Sequence, residues 1–211
     1  MNDDERFKQW GKWIKVIDEN VDNAILNRHI LQEVAAIIDA NPRIQLPSVF
    51  YGWMSAVYSD SGLMAVRRQL DKDSRSISLA RLLGEIVTYP YVLSRKRFVG
   101  LYRPQDQHLA QSQFDRNIAS GANQIDPTVV RNDLDTLDKR TQDVERYGTK
   151  RVAHLDRKGP KNIPTYQELD DALDLIHTLR VKYLFLLQAQ TYTEPVWTYD
   201  WKAIFREPWV P

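Results

Sequence analysis

Apolar side chains recur every three or four residues along most of the chain, a spacing that places them on one face of an α-helix. The longest such runs cover residues 4–40, 48–72, 76–87, 127–157 and 165–190. Glycine and proline are scarce, with 8 and 10 copies, and long stretches contain neither. The pattern therefore predicts an all-α protein built from long helices.

Local signals mark where three of these helices begin. Ser48 can cap the second helix, and Asp126 stands before Pro127, a residue that suits the first helical turn. Thr165 and Glu168 have the spacing of a capping box, in which each side chain bonds the other's backbone amide. We therefore expect helices to start directly after residues 48, 126 and 165.

The same periodicity predicts which side chains face the core. In the second helix the expected inward residues are Phe50, Trp53, Met54, Val57, Leu63, Val66 and Leu70. A shorter helix over 105–118 is expected to turn Leu109, Phe114 and Ile118 inward.

The length of 211 residues suits one domain, 1–211, with a helical core at about 4–190 and a tail at 191–211. From Glu194 onward the tail carries five aromatic residues, which are Trp197, Tyr199, Trp201, Phe205 and Trp209. It is too apolar to remain fully exposed to solvent, so we expect it to pack on the bundle or on a partner subunit.

Composition excludes several classes of protein. There is no cysteine, which removes disulfides, thiolate zinc sites, iron-sulfur clusters and cysteine nucleophiles. The four histidines are widely separated, so we expect no metal site and no cofactor. The start of the chain is acidic, unlike a signal peptide, and no apolar run approaches the 20 or so residues that span a membrane. A cytoplasmic protein with no membrane partner is expected.

Positive charge is concentrated in one window, residues 139–161. Eight Lys and Arg residues stand there against three acidic ones, whereas the whole chain has a formal net charge of +1. Lys150 and Arg151 come four and three residues before His154, so on a helix all three share a face, with Tyr147 one turn earlier. Such a face can hold a phosphate beside an imidazole. A solvated basic helix end is the simpler interpretation.

Residues 150–158, KRVAHLDRK, resemble the end of the histidine helix in HEPN proteins, in particular the abortive-infection, AbiU-like branch of that superfamily. Three further segments agree with it, namely SRKRF at 94–98, TYQELD at 165–170, and YDWKAIF at 199–205 with the later Pro208 and Trp209. The resemblance implies a helical bundle that is usually a homodimer, with the histidine helices meeting at a cleft.

In active HEPN members an arginine precedes the histidine by four to six intervening residues, and the pair cleaves RNA without metal. Here the corresponding positions before His154 hold Thr149, Gly148 and Tyr147. Arg103 and His108 match the spacing elsewhere in the chain, but Pro104 between them breaks the helical backbone, so they need not share a face.

Two functions follow from the resemblance. The first is a degenerate HEPN protein of a prokaryotic defence or toxin-antitoxin system, which binds RNA or a nucleotide at a dimer cleft and has a protein partner from that system. The second is an active, metal-independent ribonuclease in which His154 assists attack of a ribose 2′-hydroxyl and Arg151 with Lys150 stabilises the developing charge. In both, the expected phosphate-binding residues are Arg146, Tyr147, Arg157 and Lys158.

A two-fold axis near His154 would bring two basic windows together, and the affinity for RNA should weaken as salt rises.

Overall fold

The structure is a computed structural model that describes residues 1–153, 157, 162–192 and 200–206. Its α-helices are α1 (Asp3–Ala40), α2 (Val49–Leu70), α3 (Leu79–Thr88), α4 (Arg95–Val99), α5 (Gln107–Asn117), α6 (Pro127–Tyr147) and α7 (Tyr166–Gln188). A π-helical turn, Gly148–Ala153, continues α6, and 3-10 helices lie at Pro42–Ile44, Pro90–Val92, Pro104–Asp106 and Trp201–Arg206. These residues form no β-strand, so the all-α prediction is confirmed. None of the helices in this part of the chain is long and apolar enough to cross a membrane.

The helices begin where the capping residues predicted. The side-chain oxygens of Ser48 and Asp126 accept hydrogen bonds from amides two residues onward, at 3.2 and 2.8 Å. Thr165 and Glu168 form the reciprocal capping box, with backbone-to-side-chain distances of 3.2 and 2.7 Å. Each cap satisfies amides that a helix start leaves without partners.

The core lies where α1, α2, α3, α6 and α7 meet. Fully buried side chains include Trp10, Ile14 and Ile17 of α1, Leu82, Leu83 and Ile86 of α3, and Ile176, Tyr183 and Leu187 of α7. The two longest helices of the core run antiparallel, because Asp18 of α1 pairs with Arg180 of α7 while Arg28 pairs with Asp174.

The predicted inward face of α2 is wrong in the first half of the helix. Leu63 and Val66 are buried as expected, but Trp53 and Val57 expose 57% and 50% of their surface and Phe50 exposes 42%. Here the inward side belongs to residues such as Tyr58, whose hydroxyl donates to Asp170 of α7 at 2.5 Å. Leu109 of α5 is likewise exposed, although Phe114 of the same helix is buried.

The tail returns to the bundle. The ring of Tyr192 lies 4.3 Å from the Arg180 guanidinium carbon, and Lys202 forms an ion pair with Glu33 of α1. Both contacts are within the chain, which is one of the two predicted arrangements. Trp197, Tyr199 and Trp209 lie outside the described residues.

Arg180 is the centre of a buried polar cluster between α1 and α7. Its side chain is fully buried, and its Nη1 donates to the carboxylates of Asp18 and Asp22, the latter at 2.8 Å. Its Nη2 lies 2.6 Å from His177 Nδ1. Because a guanidinium can only donate, that histidine nitrogen accepts the bond and the imidazole is neutral. Tyr192 closes the cluster, with its ring edge-on to His177 at 4.7 Å.

This arrangement predicts a pH-dependent contribution to stability. Burial, followed by the charge of Arg180, lowers the pKa of His177 below its ordinary value of 6.5 against the opposing charges of Asp22 and Asp174. The unfolded chain then binds more protons than the native one below about pH 6.5, so stability falls as the pH drops through that region. His177→Asn keeps an acceptor for Arg180 but does not titrate. Urea unfolding between pH 7.5 and 5.5 should show a smaller loss for this variant than for the parent, and equal losses would contradict the prediction.

Candidate nucleic-acid interface

The basic end of α6 presents cations to solvent. Arg146 is exposed and lies 3.8 Å from Asp143 in a helical ion pair, while Tyr147 beside it is half-buried. In the following turn Lys150 is half-buried and Arg151 is exposed, and Arg157 is exposed as well. His154 and Lys158 lie outside the described residues, so their predicted roles stay predictions.

Gly148 is buried where the π-helical turn crosses α2. A Cβ built on this residue would lie 3.2 Å from the carbonyl oxygen of Leu63 and 3.5 Å from its Cβ. The first neighbour is backbone, which cannot swing away as a side-chain tip can. One of the three positions at which active HEPN members carry their arginine is therefore a point of close helix packing.

A cation reaches this turn from α2. Arg67 Nε donates to the hydroxyl of Thr149 at 3.2 Å, and that hydroxyl donates to Glu145 at 2.9 Å. Among the residues that the structure describes, the two Nη groups of Arg67 have no hydrogen-bond or ion-pair partner. Arg67 thus brings a positive charge to the turn.

Leu63 also lines a pocket of about 210 Å³. Its lining includes Tyr147, Tyr166, Ser59, Leu63, Leu169 and the loop residues Ile163–Thr165. Tyr166 is about half exposed, and its other contacts hold it in place, since it stacks on Tyr58 at 6.2 Å between ring centroids. Two tyrosines and a leucine form a surface suited to a flat aromatic ring.

The pocket and the cation lie along one stripe of α2. Ser59, Leu63 and Arg67 are spaced by four residues and so share a helical face, with about 12 Å of helix rise between the first and the last. One face of α2 therefore carries part of the pocket lining, the close crossing at Gly148 and the guanidinium that bonds Thr149.

The comparison with protein families decides the identification. The family model HEPN_AbiU2, described as AbiU2, matches residues 24–206, which is well over half of the chain. The chain belongs to this family. It is an abortive-infection family of phage defence, and the HEPN resemblance carried by the short sequence motifs is confirmed. No curated protein and no solved structure matches the chain.

Other candidate groups of this HEPN AbiU2 chain lie apart from the turn in sequence. Arg103 and His108 are exposed and flank the 3-10 helix Pro104–Asp106, and His108 Nδ1 lies 3.1 Å from the carbonyl of Gln105. Within the described ranges no group of three or more His, Asp or Glu residues is placed to hold a metal ion.

Sequence reasoning missed Arg67 because nothing local distinguishes it. It stands beside Arg68 in the last turns of α2, 82 residues before Thr149. A basic pair near a helix end is ordinary, since cations are favourable there. Only the crossing of α2 under the turn brings one arginine of the pair into contact with Thr149.

Proposed function

We propose that this HEPN AbiU2 protein binds RNA at the turn after α6 as a binding subunit of a phage-defence or toxin-antitoxin system, without the arginine that active members place before the histidine. The observation that carries the proposal is Gly148, which packs its backbone on Leu63 where such an arginine would need room. Thr149 stands at the next of these positions, and its side chain already has two hydrogen-bond partners. Its hydroxyl accepts from Arg67 and donates to Glu145.

The cations of the turn account for the phosphate contacts. Arg67 reaches the turn at Thr149, and Arg146, Arg151 and Arg157 are exposed in the segment that contains the turn. Arginine suits phosphate because its planar fork donates two parallel hydrogen bonds. The binding should therefore depend steeply on salt.

The tyrosine pocket favours RNA with unpaired bases. Bases in an RNA duplex are stacked on one another, whereas a base of a single strand can stack on an aromatic side chain, for about 1–3 kcal/mol. Tyr147 and Tyr166 supply such surfaces next to the cations.

Replacement of Arg67 tests the proposal. Arg67→Gln removes the charge but retains a donor for Thr149, and it should weaken the binding of a fluorescently labelled single-stranded RNA roughly tenfold, with a salt slope smaller by about one. Arg68→Gln removes the same charge from the next residue, which is exposed, and serves as the control. Fluorescence anisotropy in EDTA at two salt concentrations measures both. Equal effects of the two variants, or an affinity that does not respond to salt, would reject the assignment.

The same mixture of protein and labelled RNA in EDTA also tests the alternative function, which is metal-independent cleavage. Arg67 favours it to the extent that a cation from α2 can replace the missing arginine, beside the predicted Arg151 and Lys150. Cleavage in EDTA that is abolished by both His154→Ala and Arg67→Gln would establish an enzyme. Intact RNA with full binding would support the non-catalytic proposal.

A further inference from the structure

The tyrosine pocket has a neutral lining that is rich in hydroxyl groups. None of the described residues around it is charged, and four of them carry a hydroxyl, namely Ser59, Tyr147, Thr165 and Tyr166. Its volume of about 210 Å³ lies below the range of about 300–1,000 Å³ that is typical of sites for drug-sized molecules. The pocket is therefore suited to one uncharged ring, with the phosphates of the same ligand left outside.

Two of these hydroxyls use their hydrogens within the protein. Ser59 Oγ lies 2.8 Å from the carbonyl oxygen of Ser55 and 3.3 Å from the hydroxyl oxygen of Tyr166. Because a carbonyl can only accept, the single hydrogen of Ser59 goes to Ser55. The hydrogen between the other two oxygens then comes from Tyr166. Both oxygens keep lone pairs for a ligand, and neither keeps a hydrogen.

The neighbouring groups on the lining are also poor in donors. Thr165 Oγ1 donates its hydrogen to Glu168 at 3.0 Å and accepts the amide of Glu168 at 3.2 Å. Pro164 has no amide hydrogen to donate. The hydroxyl of Tyr147 can either donate or accept. The hydroxyl oxygens whose bonding the structure defines are therefore acceptors toward a ligand.

A network that reaches α1 holds the aromatic wall of the pocket. Tyr166 stacks on Tyr58 with 20° between the two rings, and the buried Tyr58 donates its hydroxyl to Asp170 at 2.5 Å. The carbonyl oxygen of Asp170 accepts in turn from Arg28 at 3.2 Å. A wall that is fixed before binding lowers the entropic cost of holding a base and sets the position of the Tyr166 oxygen.

We propose that this pocket accepts a single base of the bound RNA and selects a base with an exocyclic amino group, such as adenine or cytosine, over uracil. This base preference rests on the proposed function, because the pocket belongs to the same RNA-binding site. The two hydrogens of an amino group match the oxygens of Ser59 and Tyr166, which lie 3.3 Å apart. Uracil presents one N–H between two carbonyl oxygens, so a carbonyl would face an acceptor with no hydrogen between them.

Stacking alone would not produce this preference. Every base has a π face, so an aromatic wall binds all bases to a similar degree. A hydrogen bond that only one of two bases can make discriminates between them, because the wrong base leaves polar groups without partners. We therefore expect a difference in affinity of roughly tenfold.

Three RNAs that differ at one base test the preference. They are a short oligouridine, the same strand with a central adenine, and the same strand with a central purine that lacks the amino group. Fluorescence anisotropy in EDTA should show that the adenine strand binds roughly tenfold more tightly than the other two. Equal affinities would overturn the base preference. The proposed function would still stand if Arg67→Gln weakened all three, whereas RNAs that do not bind would overturn both.

Two variants assign the preference to the hydroxyls. Tyr166→Phe keeps the ring but removes the acceptor, so the affinity for the adenine strand should fall to that for oligouridine. Ser59→Ala frees the hydrogen of Tyr166 for a uracil carbonyl and should shrink or reverse the preference. Tyr91→Phe changes a tyrosine of similar exposure, 46% against 51%, and should leave the preference intact. A preference that survives both Tyr166→Phe and Ser59→Ala would overturn the proposal.

Discussion

Replacement of Arg180 by alanine should lower the free energy of unfolding by about 3 kcal/mol, because it leaves the carboxylates of Asp18 and Asp22 without the guanidinium that compensates their partial burial. It also removes a fully buried side chain and one of the contacts of Tyr192. For a chain of 211 residues this corresponds to a fall in Tm of roughly 10 °C.

The control for Arg180 is an arginine with the same type of partner at the surface. Arg75 pairs with Asp73 at 2.8 Å, but its side chain is 88% exposed, so Arg75→Ala should leave the unfolding midpoint unchanged. A further variant, Arg180→Met with Asp18→Asn and Asp22→Asn, removes all three charges and should recover part of the loss. Equal stability of the Arg180→Ala and Arg75→Ala proteins would show that the cluster does not stabilise the fold.

The second large effect is expected at Gly148. Gly148→Arg would restore the arginine of active HEPN members in one of its permitted positions, but its Cβ would press on the backbone of Leu63 at 3.2 Å. Overpacking of this kind costs about 2 kcal/mol, and the displaced turn would also lose the hydrogen bond between Arg67 and Thr149. We therefore expect a less stable protein that binds RNA more weakly and gains no cleavage.

Gly84 provides the matched substitution. It lies within α3, and a Cβ built there meets nothing within 4 Å, so Gly84→Arg should be neutral or stabilising by about 0.5 kcal/mol through helix propensity. Thermal unfolding of both variants compares the two sites. A Gly148→Arg protein as stable as Gly84→Arg would mean that the turn can accommodate an arginine, which would remove the main support for a non-catalytic protein.

The capping residues and the periodicity of α7 were sufficient to predict much of the fold. Ser48, Asp126 and the Thr165–Glu168 box act on amides within three residues, so their effect is visible in the sequence. In α7, Leu169, Leu173 and Ile176 have the three- and four-residue spacing of one helical face, and all three are buried. Short motifs pointed to the family, which the family model over residues 24–206 confirms.

What periodicity cannot supply is the identity of the neighbour that covers each face. The pattern of α2 is amphipathic over its whole length, yet Leu63 and Val66 are buried while Trp53 and Val57 face solvent. The reason is that in the first half of α2 the side that packs on α7 is the one that carries Tyr58, whose hydroxyl bonds Asp170. Which side packs is a property of the assembled bundle that no local spacing records.

The features of the candidate site also fall into two groups, those that the sequence predicts and those that only the structure shows. The sequence by itself determined that the chain is helical and where its helices start, and it located the basic window with Arg146 and Arg151, because these depend on residue type and short-range spacing. Only the tertiary structure decided that Gly148 must be small, that Arg67 joins the turn and that a tyrosine pocket lies beside it. These features arise where α2 crosses residues some 80 positions later in the chain, and a contact between distant segments is fixed by the packing of whole helices rather than by local sequence.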